Sequence, residues 1–151
     1  MKRWNAVAYL RTSMGGQEDP GNTLQTQLAI IMEFISEKTD IELCSIKTDN
    51  GYTGLNFNRP AYQEMMDEIE SGKINCVIVK DLSRFSRHHL DAGDMIFHKF
   101  AAMNVRFIAV LDDVDLLYVN ENQQDFFIPF KTLFNQMYSM DISKRTYYGP
   151  A

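Results

Sequence analysis

Between residues 5 and 110, short apolar runs of strand length alternate with segments whose apolar residues recur every three or four positions, and this alternation most constrains the fold. Residues 5–10, NAVAYL, predict a buried strand, and Leu24, Leu28, Ile31 and Ile35 predict a helix within 22–38. Residues 41–47 alternate apolar and polar side chains as a second strand, and 49–59, with Gly51, Gly54 and several asparagines, predict a loop. Pro60 suits the first turn of a helix whose Tyr62, Met65, Met66 and Ile69 share a face, and Gly72 ends it. The unit recurs: a third strand at 76–79, a polar loop at 80–87, a helix over about 88–103 with Ile96, Phe97, Phe100 and Met103 inward, and a fourth strand at 105–110. Parallel neighbours need crossover connections, so the expected class is α/β, a mainly parallel four- to five-stranded sheet with helices on both faces.

Beyond residue 110 the pattern is less regular. VDLLYV, residues 114–119, reads as a short fifth or edge strand, and 124–145 as a long C-terminal helix. Its stripe of Phe126, Phe127, Phe130, Leu133, Phe134, Met137 and Tyr138 suits either its own core or a partner surface. With 151 residues, 45% of them hydrophobic, the chain fits one domain spanning 1–151. Its two cysteines, Cys44 and Cys76, offer neither a disulfide framework nor a zinc spacing, which points to a reducing cytoplasm. No run approaches the roughly 18 apolar residues of a membrane span, and the N-terminus lacks a secretory h-region.

In open α/β sheets, ligands bind outside the carboxyl ends of the strands. The segments after the first three strands hold Arg11 and Ser13, then Asp49 and Arg59, then Lys80, Asp81, Ser83, Arg84, Ser86 and Arg87. Four of the seven arginines therefore fall where one mouth is expected, and planar guanidinium forks match phosphate oxygens. The net charge of −5 weighs against a nucleic-acid binder, but local rather than net charge meets a phosphate. Ser13 is the candidate nucleophile. The three histidines, His88, His89 and His98, lie in one helical segment and no glycine-flanked serine elbow is present, which disfavours a Ser-His-Asp hydrolase and leaves phosphoryl chemistry. Gly15-Gly16 lacks Walker and dinucleotide spacing and reads as a flexible loop, and His88-His89 reads as solvated rather than metal-binding.

AYLRTS, TDNGYTG followed by NRP, and VIVKDLSRFSR, in that order over roughly residues 5–145, resemble the motifs of the serine recombinase catalytic domain. The details are most similar to the large serine recombinases, the integrases and transposases of mobile elements. The resemblance implies that Ser13 joins covalently to a DNA 5′ phosphate, that Arg11, Arg59, Arg84 and Arg87 surround the scissile phosphate, that Gln27 supports the site, and that Tyr9 and Asp49 belong to its inner shell. It also implies DNA as partner, dimers that pair into tetramers, no metal or nucleotide cofactor, and DNA-binding domains outside these residues. One position departs from it: many members carry aspartate where this chain has Ser83, and if that carboxylate is needed to assist proton transfer to the leaving oxygen, Ser83, Asp81 or a water must replace it. The general base for Ser13 is unassigned.

Two rival readings keep the fold. One is a catalytically inactive oligomerisation or regulatory module, in which Ser13 and the arginines would be scattered. The other is a small-molecule phosphate-binding domain of flavodoxin-like architecture, with an apolar pocket beside the glycine loop.

Overall fold

The structure, a computed structural model, describes residues 3–13, 20–52, 58–86, 93 and 95–116. The expected long helix over 124–145, Gly15-Gly16, His88-His89 and Arg87 lie outside them.

Five strands, β1 (Trp4–Thr12), β2 (Ile41–Asn50), β3 (Cys76–Val79), β4 (Arg106–Ala109) and β5 (Val114–Leu116), form one sheet in the order β2-β1-β3-β4-β5. The first four are parallel, and β5 runs antiparallel to β4 at the edge. The apolar run of β1 is explained by its central place: from Ala6 to Leu10 every side chain is buried, as expected of a parallel strand covered on both faces. Edge strand β2 instead alternates less exposed and more exposed residues. The turn into β5 passes through Asp113 at φ +56°, and Arg106 then clamps the antiparallel edge with two bonds to Asp115, of 2.8 and 2.6 Å.

Helices cover both faces. On one, α1 (Leu24–Ser36) lays Leu24, Leu28, Ile31 and Ile35 over Ala6, Ala8, Ile78 and Ile108; Thr23 caps it by accepting from Thr26 N. On the other, α2 (Pro60–Glu70) and a π-helical segment, Met95–Phe100, pack Tyr62, Met65, Ile69, Ile96 and Phe100 against Val7, Val77 and Phe107. The expected inward residues Ile96 and Phe100 are buried and Met103 packs beside them, while the side chain of Phe97 lies outside the described set. Gly72, at φ +85°, ends α2 as expected.

Two expectations are corrected. Residues 80–87 are not simply loop: Leu82–Phe85 forms a short helix, α3, capped by Asp81 and anchored by Phe85, whose ring meets Tyr62, Phe100 and Phe107 edge-on at 5.1–5.9 Å. Asp49 belongs to the end of β2 rather than to the loop after it.

A bulge sets which way Asp49 faces. The β1–β2 register slips between Ala6 and Val7, whose partners are Leu43 and Ser45, so that Cys44 is the extra residue. Before the slip, Ile41 and Leu43 pack on the α1 side. After it, Lys47 pairs with Glu64 and Glu68 of α2, and Asp49 meets the first amides of that helix. Strict alternation would have kept these odd-numbered residues on one face; the inserted residue turns the later ones to the other.

Candidate active site

The chain leaves β1 to build β2 on one side and then crosses to build β3 on the other, so the crevice between the carboxyl ends of β1 and β3 is the switch point where such sheets bind ligands. Pairing of β1 with β3 extends to Ala8↔Ile78, whereas pairing with β2 runs on to Thr12↔Asn50. Past residue 8 the β3-facing backbone of β1 therefore needs other partners. Gln27 of α1 supplies them. Its Oε1 accepts from Arg11 N at 3.2 Å, while its Nε2 donates to Arg11 O at 3.0 Å and to Asn22 O at 2.8 Å. This fully buried amide stands in for a missing strand and fixes the path of the chain two residues before Ser13, which is itself partly exposed. Gln27→Met, similar in shape but unable to make these bonds, is expected to cost about 2–4 kcal/mol in a denaturant titration; a loss below about 0.5 kcal/mol would show the amide to be dispensable.

Three guanidiniums converge beside this strand end. Arg11 leaves β1, Arg59 stands at the N-cap of α2, Arg84 belongs to α3, and all three are 0–2% exposed. Arg11 and Arg59 are anchored at the C-terminal end of α3, where a helix leaves carbonyls open and carries partial negative charge. Ser83 O accepts from Arg11 Nη2 at 2.6 Å, Arg84 O from Arg11 Nε at 3.1 Å and Arg59 Nη1 at 3.4 Å, and Phe85 O from Arg59 Nη2 at 2.7 Å. Arg11 Nη1 also donates to Tyr52 O at 2.8 Å, and Arg84 Nη1 returns a bond to Arg11 O at 2.9 Å. The sequence suggests open forks waiting for an anion; in the fold these side chains tie the segments after β1, β2 and β3 to one another.

Tyr9 and Asp49 complete the network. The Tyr9 hydroxyl donates to Asp49 Oδ2 at 2.7 Å and accepts from Arg59 Nη1 at 2.9 Å. Asp49 also accepts from Ala61 N at 2.9 Å and Tyr62 N at 3.0 Å, so it caps α2 from a neighbouring strand, a task the Arg59 side chain at the N-cap does not perform. Arg59 is held over the rings of Tyr9 and Tyr62, at 5.4 and 5.0 Å. Burial pushes the Tyr9 phenol far above its ordinary range, against the opposing charge of Arg59, so Tyr9 stays protonated at any working pH and serves as a hydrogen-bonding post.

The segment after β3 brings in Lys80, Asp81 and Ser83, which the sequence placed at this mouth, and Asp112, which it did not. Asp81 Oδ1 accepts from Ser83 N at 3.0 Å and from the Ser83 hydroxyl in a short bond, and Arg84 Nε donates to Ser83 Oγ at 3.3 Å. Lys80, nearly buried, donates to Asn22 Oδ1 and lies 3.6 Å from Asp81 Oδ2. Asp112, after β4, accepts from Leu82 N at 2.7 Å. Aspartate at 81, just ahead of an apolar residue, is the one local signal of a cap here; nothing local points to Asp112.

Burial raises the Asp112 pKa, the Leu82 N–H opposes this, and Asp81 adds to the rise. The folded protein therefore binds that proton more tightly than the unfolded chain does, so this group's contribution to stability falls as pH climbs from the ordinary carboxylate range through the raised value, and is level above it. Asp112→Asn keeps an acceptor for Leu82 N and removes the fall. Melting temperatures compared from pH 3 to 7 should show the variant gaining on the wild type as pH rises; parallel curves would contradict this.

Of the residues the sequence singled out, Tyr9, Arg11, Gln27, Asp49, Arg59 and Arg84 are thus joined in one buried network, with Ser13 two residues beyond Arg11 on the same strand exit. Arg87 lies outside the described residues.

The family described as "Resolvase, N terminal domain" matches residues 6–151. Among solved structures, the chain is similar to the N-terminal catalytic domain of TP901-1 integrase, with a TM-score of 0.71 and 20% identity over 93% of this chain and 98% of that one. It is similar also to a resolvase family site-specific recombinase from Streptococcus pneumoniae, with a TM-score of 0.66 and 25% identity over 97% and 95%. A third likeness is to the C-terminal catalytic domain of ISC1926 TnpA, an IS607-like serine recombinase, with a TM-score of 0.58 and 23% identity over 73% and 71%. No curated protein matches the sequence.

Proposed function

The chain belongs to the resolvase family of serine recombinases, and from that membership we propose that it performs site-specific DNA strand exchange with Ser13 as nucleophile. Members of this family are recombination enzymes that act on DNA. In the proposed step, Ser13 Oγ bonds to the phosphorus of a backbone phosphodiester, the P–O3′ bond breaks, the serine proton passes to a base, and the leaving 3′ oxygen takes up a proton. The 5′-phosphoserine conserves the energy of the broken bond. After exchange, a 3′ hydroxyl attacks it, reforms the backbone and releases Ser13.

The observation that carries this reading is the meeting of three buried guanidiniums, brought from three distant segments, at the strand end that delivers Ser13. Inside a low-dielectric site their field favours an alkoxide and an added anionic charge on phosphate more strongly than it would in water. Arg11 and Arg84, with Arg87, are proposed to act on the phosphate, while Gln27, Asp49, Tyr9 and Arg59 hold the frame. The large serine recombinase type, working as dimers that pair into tetramers, is part of the same proposal.

The test is covalent capture. The protein is mixed with DNA spanning the boundaries of its own genetic element, and adducts are isolated under denaturing conditions and digested. Mass spectrometry should find the nucleotide on the Ser13 peptide; adducts confined to another residue would overturn the assignment. The inactive-module reading is favoured by one observation, that the guanidiniums already donate to carbonyls. Complete absence of adducts, with folded oligomers present, would support it.

A further inference from the structure

We propose that Asp81 and Ser83 act as a positioning pair that sets the guanidinium of Arg84 for the strand-transfer reaction, an inference that rests on the recombinase reading above. The pair is built from one carboxylate oxygen. Asp81 Oδ1 accepts both the amide and the hydroxyl of Ser83, which fixes the hydroxyl rotor with its proton toward Asp81 and its lone pairs turned away. Arg84 Nε donates to that same Oγ, and Arg84 Nη1 donates to Arg11 O, two residues before Ser13.

The guanidinium is therefore held at two of its nitrogens, one by the carboxylate-polarised hydroxyl and one by the strand that delivers the nucleophile. Each hydrogen bond in the chain Asp81–Ser83–Arg84 polarises the next, so the negative charge of Asp81 is felt at Arg84 without direct contact. Lys80, 3.6 Å from the other Asp81 oxygen, helps to hold the carboxylate in place. A carboxylate two residues earlier in the chain, working through a serine, thus orients Arg84 where the motif departs from its usual aspartate. Ser83 touches the Arg84 guanidinium and Asp81 acts on it through Ser83, so the effect of the pair on the reaction passes through the Arg84 side chain.

Two measurements on the full chain test this. In the first, the arginine Nε–Hε NMR resonance of Arg84 should shift in both Ser83→Ala and Asp81→Asn, and return near the wild-type position in Ser83→Thr, which restores the hydroxyl. In the second, Ser83→Ala should slow formation of the Ser13–DNA adduct about tenfold, the worth of a hydrogen bond to a charged group. Ser83→Thr should recover most of the rate. Combined with Arg84→Ala, the Ser83→Ala change should slow the reaction no further, since it acts only through the lost side chain. An unmoved Arg84 resonance, a wild-type rate in Ser83→Ala, or a double variant slower than Arg84→Ala by the full single-variant factor would each overturn the proposal. Wild-type protein that forms no Ser13 adduct would instead overturn the recombinase reading, leaving the NMR arm to decide the pairing by itself.

Discussion

Ser13→Ala is expected to lower covalent capture of DNA by about 10⁴-fold or more, the scale on which loss of an enzyme's nucleophile is felt. The loss should fall on chemistry alone. Ser13 is only partly buried and follows the last residue of β1, whose path is fixed by Gln27 and by pairing with β2, so removing one hydroxyl should change stability by about 1 kcal/mol or less. Circular dichroism, melting temperature and DNA binding at low salt should match the wild type, while denaturing gels show no adduct. An alanine variant that still links to DNA would remove Ser13 from the mechanism, whatever the fold.

The largest stability effect is expected at Arg59. Its side chain is fully buried, donates to the Tyr9 hydroxyl, Arg84 O and Phe85 O, and lies over two tyrosine rings. Replacement by methionine fills much of the volume and removes the cost of burying a charge. It leaves two α3 carbonyls short of a donor, however, and leaves the Tyr9 hydroxyl, which donates to Asp49, without the cation that donates to it. Breaking such a buried arrangement from one side costs about 3–5 kcal/mol, which corresponds to a fall in melting temperature of roughly 10 °C for a domain of this size. Arg59→Lys should recover little, because one ammonium lacks the planar fork that serves Tyr9 and Phe85 together. A methionine variant within about 1 kcal/mol of wild type would mean that water or a rearranged α3 satisfies those groups equally well.

Much of the fold was legible in the residues. The buried run of β1, the helical spacing of α1 and α2, Pro60 and Gly72 at the ends of α2, and the all-apolar β3 each carry a local signal, and their alternation implied a parallel sheet. The convergence of the segments after β1, β2 and β3 followed from the same rule, so Arg11, Ser13, Asp49, Arg59 and Arg84 were all found before any coordinate. Gln27 and Tyr9 came from likeness to a family rather than from spacing, because a glutamine in a helix and a tyrosine in a strand look ordinary until their partners are known. α3 was missed: four residues give too short a window for periodicity, and its caps come from Asp81 and from Asp112, 30 residues away from Leu82.

The sequence by itself determined the class of fold, the order of its elements and which polar side chains cluster at one end of the sheet, because strand and helix patterns are written in residues two to four positions apart. Only the tertiary structure decided what those side chains do there. The slip at Cys44 turned Asp49 toward α2, and α3 drew Arg11 and Arg59 inward onto its carbonyls. The physical reason is reach: Arg11 and Arg84 meet across 73 residues, and which buried polar groups become partners over such a distance depends on the path of the backbone between them and not on either residue's neighbours.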